Sequence, residues 1–143
     1  MSDRFPFVPR LARDHPGYFK VVLSLVLVHF GLAADALGGR GIERSPGFKV
    51  IVSVLGKHTY SMTGAHIVTA ILIIAGLYWR DHFVLVRYGC ALSLILFNVL
   101  AVGFAFASFL YDLSYYGAIA SVTLSLSSLA ALKEPPVQSA VRT

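Results

Sequence analysis

The sequence predicts an all-α polytopic membrane protein, in which four transmembrane helices form an antiparallel bundle beside one interfacial amphipathic helix. The chain of 143 residues is 57% hydrophobic and 13% charged, with a mean hydropathy of +0.73, whereas soluble domains carry about a quarter charged residues. It also contains four long apolar stretches. A helix of about 20 residues crosses about 30 Å of hydrocarbon, and a backbone in lipid must satisfy its own hydrogen bonds.

The predicted spans belong to a single membrane domain that covers residues 1–143. Aromatic residues stand at several of their boundaries, where one end of the ring is apolar and the other meets water. Prolines at positions 6, 9 and 16 predict an irregular N-terminal tail. The spans are 18–37, 60–79, 88–110 and 113–132, and the polar tails are 1–17 and 133–143.

The connector after the first span predicts an amphipathic helix over 46–57. Ser45-Pro46 has the residue types of a helix start. Apolar residues then recur at helical spacing, with polar residues on the opposite face, which is typical of a helix lying among lipid headgroups. A short strand is the alternative, because the segment is rich in β-branched residues. The apolar face comprises Phe48, Ile51, Val52 and Leu55, and the polar face Lys49, Ser53 and Lys57.

Basic residues predict the orientation of the chain. With four spans, both tails and the middle connector share one side of the membrane, and this side carries eight of the 12 Lys and Arg residues. Because the cytoplasmic side is enriched in basic residues, we expect both termini to lie in the cytoplasm, and the membrane to be a bacterial cytoplasmic membrane. The basic residues are scattered over tails and connectors, so we expect no nucleic acid among the partners.

Polar residues at membrane depth are the candidates for chemistry. They are His29, Asp35, His66 and Asn98. Ionisable groups in a span usually face a partner or water, and hydrogen bonds from His29 to Asn98 or from His66 to Asp35 are the favoured interpretation. His29 and His66 are predicted to lie at a similar depth, so ligation of a haem iron or another metal is the alternative. We expect no cofactor.

Small residues predict how the helices pack. Spans that present small side chains approach closely, and their hydroxyl groups bond across the contact. Three uses of these faces are open: packing inside one chain, self-association, or a hydrated path lined by serines. The residues are Gly103 and Ala107 in the third span, and Gly117, Ser121, Ser125 and Ser128 in the fourth.

Enzyme signatures are absent from the sequence. It contains no P-loop, no Gly-x-Ser-x-Gly, no His-Glu-x-x-His and no dinucleotide fingerprint. The single cysteine, Cys90, cannot form an internal disulfide. We therefore expect a non-enzymatic protein whose partners are the lipid bilayer and either further copies of itself or a larger membrane protein.

The layout resembles that of small four-span membrane proteins of actinobacterial phages, many of which are regarded as holin-like. The resemblance covers residues 18–134 and lies in architecture and size. Gly64-Ala65-His66 before the second span and Lys133-Glu134-Pro135-Pro136 after the fourth belong to it. It implies a protein that permeabilises the host membrane during lysis, and it transfers no site residue.

Three functional hypotheses follow. The first is a holin-like protein that self-associates to permeabilise a bacterial cytoplasmic membrane. The second is an accessory or scaffold subunit of a larger membrane complex, which includes phage immunity and exclusion proteins. The third is an electron-transfer anchor that holds haem or a metal through His29 and His66.

Overall fold

All regular structure in the described part of the chain is α-helical, as the sequence predicts. The computed structural model describes residues 7–38, 49–50, 53, 59–79, 84–112 and 115–133. Apart from 49–50 and 53, these residues form five helices and their immediate flanks. We number the helices α1 (Phe7–Asp14), α2 (Pro16–Gly38), α3 (Thr59–Tyr78), α4 (Val84–Tyr111) and α5 (Tyr116–Lys133).

Three of the described helices are long and apolar enough to cross a membrane. The crossing segments are Pro16–Asp35, Val84–Tyr111 and Tyr116–Lys133. The apolar part of α3, Met62–Tyr78, is shorter. These lengths agree with an integral membrane protein, because a helix rises by only about 1.5 Å per residue and the hydrocarbon layer is about 30 Å thick.

The ends of α4 and α5 differ from the predicted limits of the third and fourth spans. Helix α4 begins at Val84 rather than at 88, and α5 begins at Tyr116 rather than at 113. Asp112, which follows α4, has a φ of 49°. This left-handed conformation ends a helix, and aspartate tolerates it better than most residues do.

The N-terminal tail is not irregular over residues 7–14, as its prolines predict, because these residues form α1. Pro9 is compatible with this helix because it lies in the first turn, where backbone N–H groups have no intrahelical acceptor. Leu11 is only 4% exposed and joins the hydrophobic core. Backbone hydrogen bonds from His15 to Leu11 and from Phe19 to His15 connect α1 to α2.

Most of the predicted interfacial helix lies outside the described residues. Within 46–57 the structure describes 49–50 and 53, which are helical. The Ser53 hydroxyl donates a hydrogen bond of 2.7 Å to the Val50 carbonyl, a spacing that a helical turn provides. The polar tail after Lys133 also lies outside the described residues.

The helices pack in sequence order, with α2 against α3, α3 against α4, and α4 against α5. Two glycines allow α3 and α4 to approach closely. A Cβ atom at Gly76 would lie 2.5 Å from the Val86 backbone nitrogen, and one at Gly89 would overlap the Ile73 side chain. This close contact therefore requires a residue without a Cβ atom at both positions. Neither glycine is predicted from the sequence to have this role.

The outer surface of the helices is strongly apolar. Leu27 is 64% exposed, Val102 69%, Phe109 76% and Ile119 61%. In water such a surface would be an aggregation hazard, but hydrocarbon tails cover it without cost. Several polar side chains of the same helices are buried instead, and this inner side contains the candidate site.

Candidate functional site

Four polar side chains, one from each of the helices α2 to α5, form a continuous hydrogen-bonded chain. His66 of α3 and His29 of α2 meet through their Nδ1 atoms at 2.7 Å. The other ring nitrogen of His29, Nε2, lies 2.8 Å from the Ser93 hydroxyl of α4. Ser93 in turn lies 2.9 Å from the Ser128 hydroxyl of α5. We call these four residues the polar chain.

The polar chain is closed off from its surroundings. His29, Ser93 and Ser128 are fully buried, and His66 is 5% exposed. A polar group inside a hydrocarbon environment is costly unless a hydrogen bond satisfies it. Because each residue of the chain comes from a different helix, satisfying these groups also ties the four helices together.

The hydrogen atoms of the polar chain can be assigned by counting donors. We assign the only hydroxyl proton of Ser128 to the Leu124 carbonyl, 2.9 Å away, and this assignment makes Ser93 the donor to Ser128. Ser93 then accepts from His29 Nε2–H, which makes Nδ1 of a neutral His29 an acceptor. His66 therefore donates from its Nδ1. All donors point one way, from His66 through His29 and Ser93 to Ser128.

This direction is the opposite of what a nucleophilic serine needs. In a Ser–His pair that performs nucleophilic chemistry, the histidine nitrogen accepts the serine proton. Here His29 donates to Ser93, and the proton of Ser93 is directed to Ser128. With this assignment, the arrangement joins four helices and gives Ser93 no base that accepts its proton.

Phe97 fixes the orientation of the histidine rings. Its ring is fully buried and stacks on His29, with a centroid distance of 4.9 Å and an interplanar angle of 26°. Phe97 follows Ser93 by one helical turn on α4, so the same helix face supplies both the hydrogen-bond acceptor and the stacking surface for His29. The centroid of His66 lies 6.5 Å from that of Phe97.

A second polar contact joins α4 and α5 outside the polar chain. Asn98 donates from its Nδ2 to the Ser125 hydroxyl at 2.8 Å and to the Leu94 carbonyl at 2.7 Å. The predicted hydrogen bond from His29 to Asn98 is therefore wrong, because both ring nitrogens of His29 are bonded elsewhere. Likewise, the partner of His66 is His29 and not Asp35, which lies towards the C-terminal end of α2.

The small-residue face of α5 is buried inside the chain. Ser121 and Ser125 are each 6% exposed, and Ser128 is fully buried. Gly117 lies against the Phe104 ring of α4, where an added Cβ atom would be 2.9 Å from the ring. On α4, Gly103 and Ala107 are also buried. Of the three uses left open for this face, the structure has packing within one chain.

The histidine pair does not have the geometry of a shared metal site. Two nitrogens that bind one tetrahedral metal, each at about 2.0–2.1 Å, are about 3.3 Å apart, and trans ligands are about 4 Å apart. The two Nδ1 atoms are 2.7 Å apart, which is a hydrogen-bond distance. In the described part of the chain no group of three or more His, Cys, Asp or Glu side chains could hold a metal ion.

The contribution of the Asn98–Ser125 contact can be measured with a double-mutant cycle. We expect Asn98→Ala, Ser125→Ala and the double variant to give a coupling free energy of about 0.6 kcal/mol, the average for such bonds between membrane helices. This coupling free energy is measured by unfolding each variant with SDS in mixed micelles while circular dichroism monitors the helix content. Thr123→Ala in place of Ser125→Ala should give no coupling, because Thr123 bonds only to the carbonyl of Ile119 in its own helix. A coupling of zero for the Asn98–Ser125 pair would contradict this contact.

Three of the four members of the polar chain are predicted from the sequence, and Ser93 is not. Serine is common in membrane helices and usually bonds to its own backbone, as Ser121 does to the Gly117 carbonyl. The position of Ser93 gave no signal either. Ser93 is the tenth of the 28 residues of α4, whereas Asn98 lies nearer the middle of that helix, the level at which His29 is expected.

No protein-family model matches the chain, and neither a curated protein nor a solved structure shows significant similarity to it. We therefore base the proposed function on the geometry of the polar chain.

Proposed function

We propose that the chain is a non-enzymatic, holin-like protein that permeabilises a bacterial cytoplasmic membrane when its polar interior opens to water. The polar chain is the observation that carries this proposal. It places paired polar groups inside a bundle whose outer surface is apolar. Such a protein is stable in lipid while closed, and it already contains the polar groups that a water-filled opening requires.

The proposal includes four antiparallel spans with both termini in the cytoplasm. Pairs of contacting residues support the antiparallel order: Gly89 faces Ile73 while Val86 faces Gly76, so α3 and α4 run in opposite directions. The contacts between α4 and α5 support the same order, because Ser93 meets Ser128 while Asn98 meets Ser125. The contacts of α3 with α2 through His66 and with α4 through Gly76 support α3 as one of the four spans. The distribution of basic residues supports the cytoplasmic termini.

Opening would exchange hydrogen bonds within the chain for hydrogen bonds with water. The bonds of the polar chain are each worth about 0.6–2 kcal/mol in a membrane, and water can replace them at little net cost once the helices separate. The apolar outer surface can keep its contact with lipid during this change. The polar side of each helix is therefore covered by neighbouring helices in the closed state and by water in the open state.

Self-association would require the helices to exchange partners. Because the face formed by Gly117, Ser121, Ser125 and Ser128 is covered by α4 of the same chain, it is free for another copy only after α5 leaves that position. An exchange of identical elements between copies is a low-cost route to assembly. It also explains why a closed monomer could accumulate before the membrane is permeabilised.

Inducible expression in a bacterial host tests the proposal, with a potential-sensitive dye as the readout. We expect the wild-type chain to depolarise the membrane and Ser128→Ala to do so sooner. The variant removes the acceptor of Ser93, and a loss of about 0.6 kcal/mol would raise the open-to-closed ratio about threefold. Thr123→Ala is the matched control on α5, because Thr123 is exposed and bonds only to its own helix. A wild-type chain that inserts and accumulates without depolarisation would refute permeabilisation.

The accessory-subunit hypothesis is the second candidate, and one observation favours it. The small-residue face of α5 is satisfied within one chain, as expected of a protein that keeps a fixed fold and offers its outer surface to a larger partner. This candidate predicts no depolarisation on expression alone, and it predicts a membrane protein that co-purifies from the native host in stoichiometric amount.

A further inference from the structure

The histidine pair contains one ring nitrogen that the polar chain does not use. In the direction assigned above, His29 uses both of its nitrogens and His66 donates from Nδ1. A neutral histidine that carries its proton on Nδ1 has a lone pair on Nε2. Nε2 of His66 can therefore bind an added proton without breaking any hydrogen bond of the polar chain.

For a second added proton, the pair has no further ring nitrogen with an unused lone pair. Such a proton would have to bind Nδ1 of His29, which already accepts from Nδ1–H of His66 at 2.7 Å. Two N–H groups would then point at each other across that distance, and the contact between α2 and α3 would be lost. The geometry thus limits the closed pair to one added proton.

We propose that the His29–His66 pair is a binding site for a single proton and that occupancy of this site favours the open state. The first part stands on the geometry of the pair alone, and the second rests on the proposed permeabilising function. The ligand is the hydrogen ion itself, which water delivers to His66 when the helices separate.

The surroundings of the pair determine the direction of the effect. On α2 and α3 the titratable groups at this level are His29 and His66 themselves. Ser93 and Phe97 face the two histidines from α4, and Ser128 of α5 follows Ser93 in the polar chain. The nearest titratable residues along the same helices are the buried Cys90 on α4 and Asp35, six residues beyond His29 on α2.

Both ring nitrogens of His29 and Nδ1 of His66 are hydrogen-bonded to groups that carry no negative charge. A protonated pair would therefore carry a positive charge without a counter-ion inside the closed bundle, and such a charge is costly in a membrane. Water stabilises that charge in the open state. Acid therefore shifts the equilibrium towards the open state, by up to about tenfold per pH unit for each proton that the open state binds in excess of the closed state.

The proton site can be tested with ¹⁵N-histidine NMR of the protein in bicelles. His15, His58 and His82 are replaced by Gln so that only the pair is observed. As the pH is lowered, we expect the closed pair to bind one proton, with a simultaneous change in both rings. In His29→Gln, His66 should titrate as a single ring. Two separate protons, or rings that change independently, would overturn the site.

Dye release from liposomes tests the coupling. We expect release to increase as the pH falls, with a slope set by the extra protons that the open state binds, and we expect His29→Gln and His66→Gln to flatten this slope. His15→Gln is the control, since this exposed histidine lies between α1 and α2. Release that does not depend on pH overturns the coupling. No release at any pH, together with one bound proton by NMR, refutes the permeabilising function and upholds the proton site.

Discussion

Replacing His29 by Leu is expected to destabilise the bundle by about 1–3 kcal/mol. Leucine fills a similar volume, so the loss arises from hydrogen bonding rather than from packing. Nδ1–H of His66 loses its acceptor and the Ser93 oxygen loses its donor, and an unsatisfied buried donor costs about 1–3 kcal/mol. Unfolding with SDS in mixed micelles, followed by circular dichroism, measures the change.

Two further variants show whether the lost stability comes from the polar chain. His29→Leu combined with His66→Leu should be less destabilised than the sum of the single variants, because removing both partners leaves no unsatisfied ring donor. His15→Leu should leave the stability unchanged, since the His15 side chain is exposed. If His29→Leu were as stable as the wild type, the polar chain would not hold the helices together.

Replacing Gly76 by Ala is expected to destabilise the bundle by about 1–3 kcal/mol, the usual cost of overpacking a tight contact. The new Cβ atom would lie 2.5 Å from the Val86 backbone nitrogen and 2.7 Å from Val86 Cγ2. The first of these atoms belongs to the backbone of α4, so α3 and α4 must move apart as rigid elements. Unfolding with SDS measures the change, and Gly89→Ala should act in the same direction, because its Cβ would overlap Ile73.

Gly64→Ala provides the matched control on the same helix. No atom lies within 4 Å of the Cβ position at Gly64, so the substitution adds no clash. It should leave stability unchanged or raise it by up to about 1 kcal/mol, because alanine favours a helix more than glycine does. Equal effects of Gly64→Ala and Gly76→Ala would mean that helix propensity, and not the close approach of α3 and α4, controls stability.

The histidine positions illustrate how far the sequence analysis reached. Counting residues along the spans placed His29 and His66 at a similar depth, because the rise of a helix is fixed. Counting does not give the rotation of one helix relative to another, and that rotation decides which side chains meet. The partners of the two histidines were therefore predicted incorrectly, although their depth was compatible with the direct contact that the structure has.

The close packing of α3 against α4 shows the same limit. Small residues that recur at regular spacing, such as Gly117 and Ser121, are predicted to form helix-packing faces, because a repeated pattern can be recognised within one helix. Gly76 and Gly89 are single glycines on two different helices. Their shared role depends on the position of Val86 and Ile73 opposite them, and no spacing within either helix indicates it.

By itself, the sequence determined that the chain is helical and apolar enough for a membrane, and which polar residues lie at depth. Hydrophobic length and the need to satisfy the backbone act within each helix, so they can be recognised along the chain. Only the tertiary structure decided that His66, His29, Ser93 and Ser128 form one directed chain. Such a chain depends on the rotation and spacing of four helices, which packing between them sets.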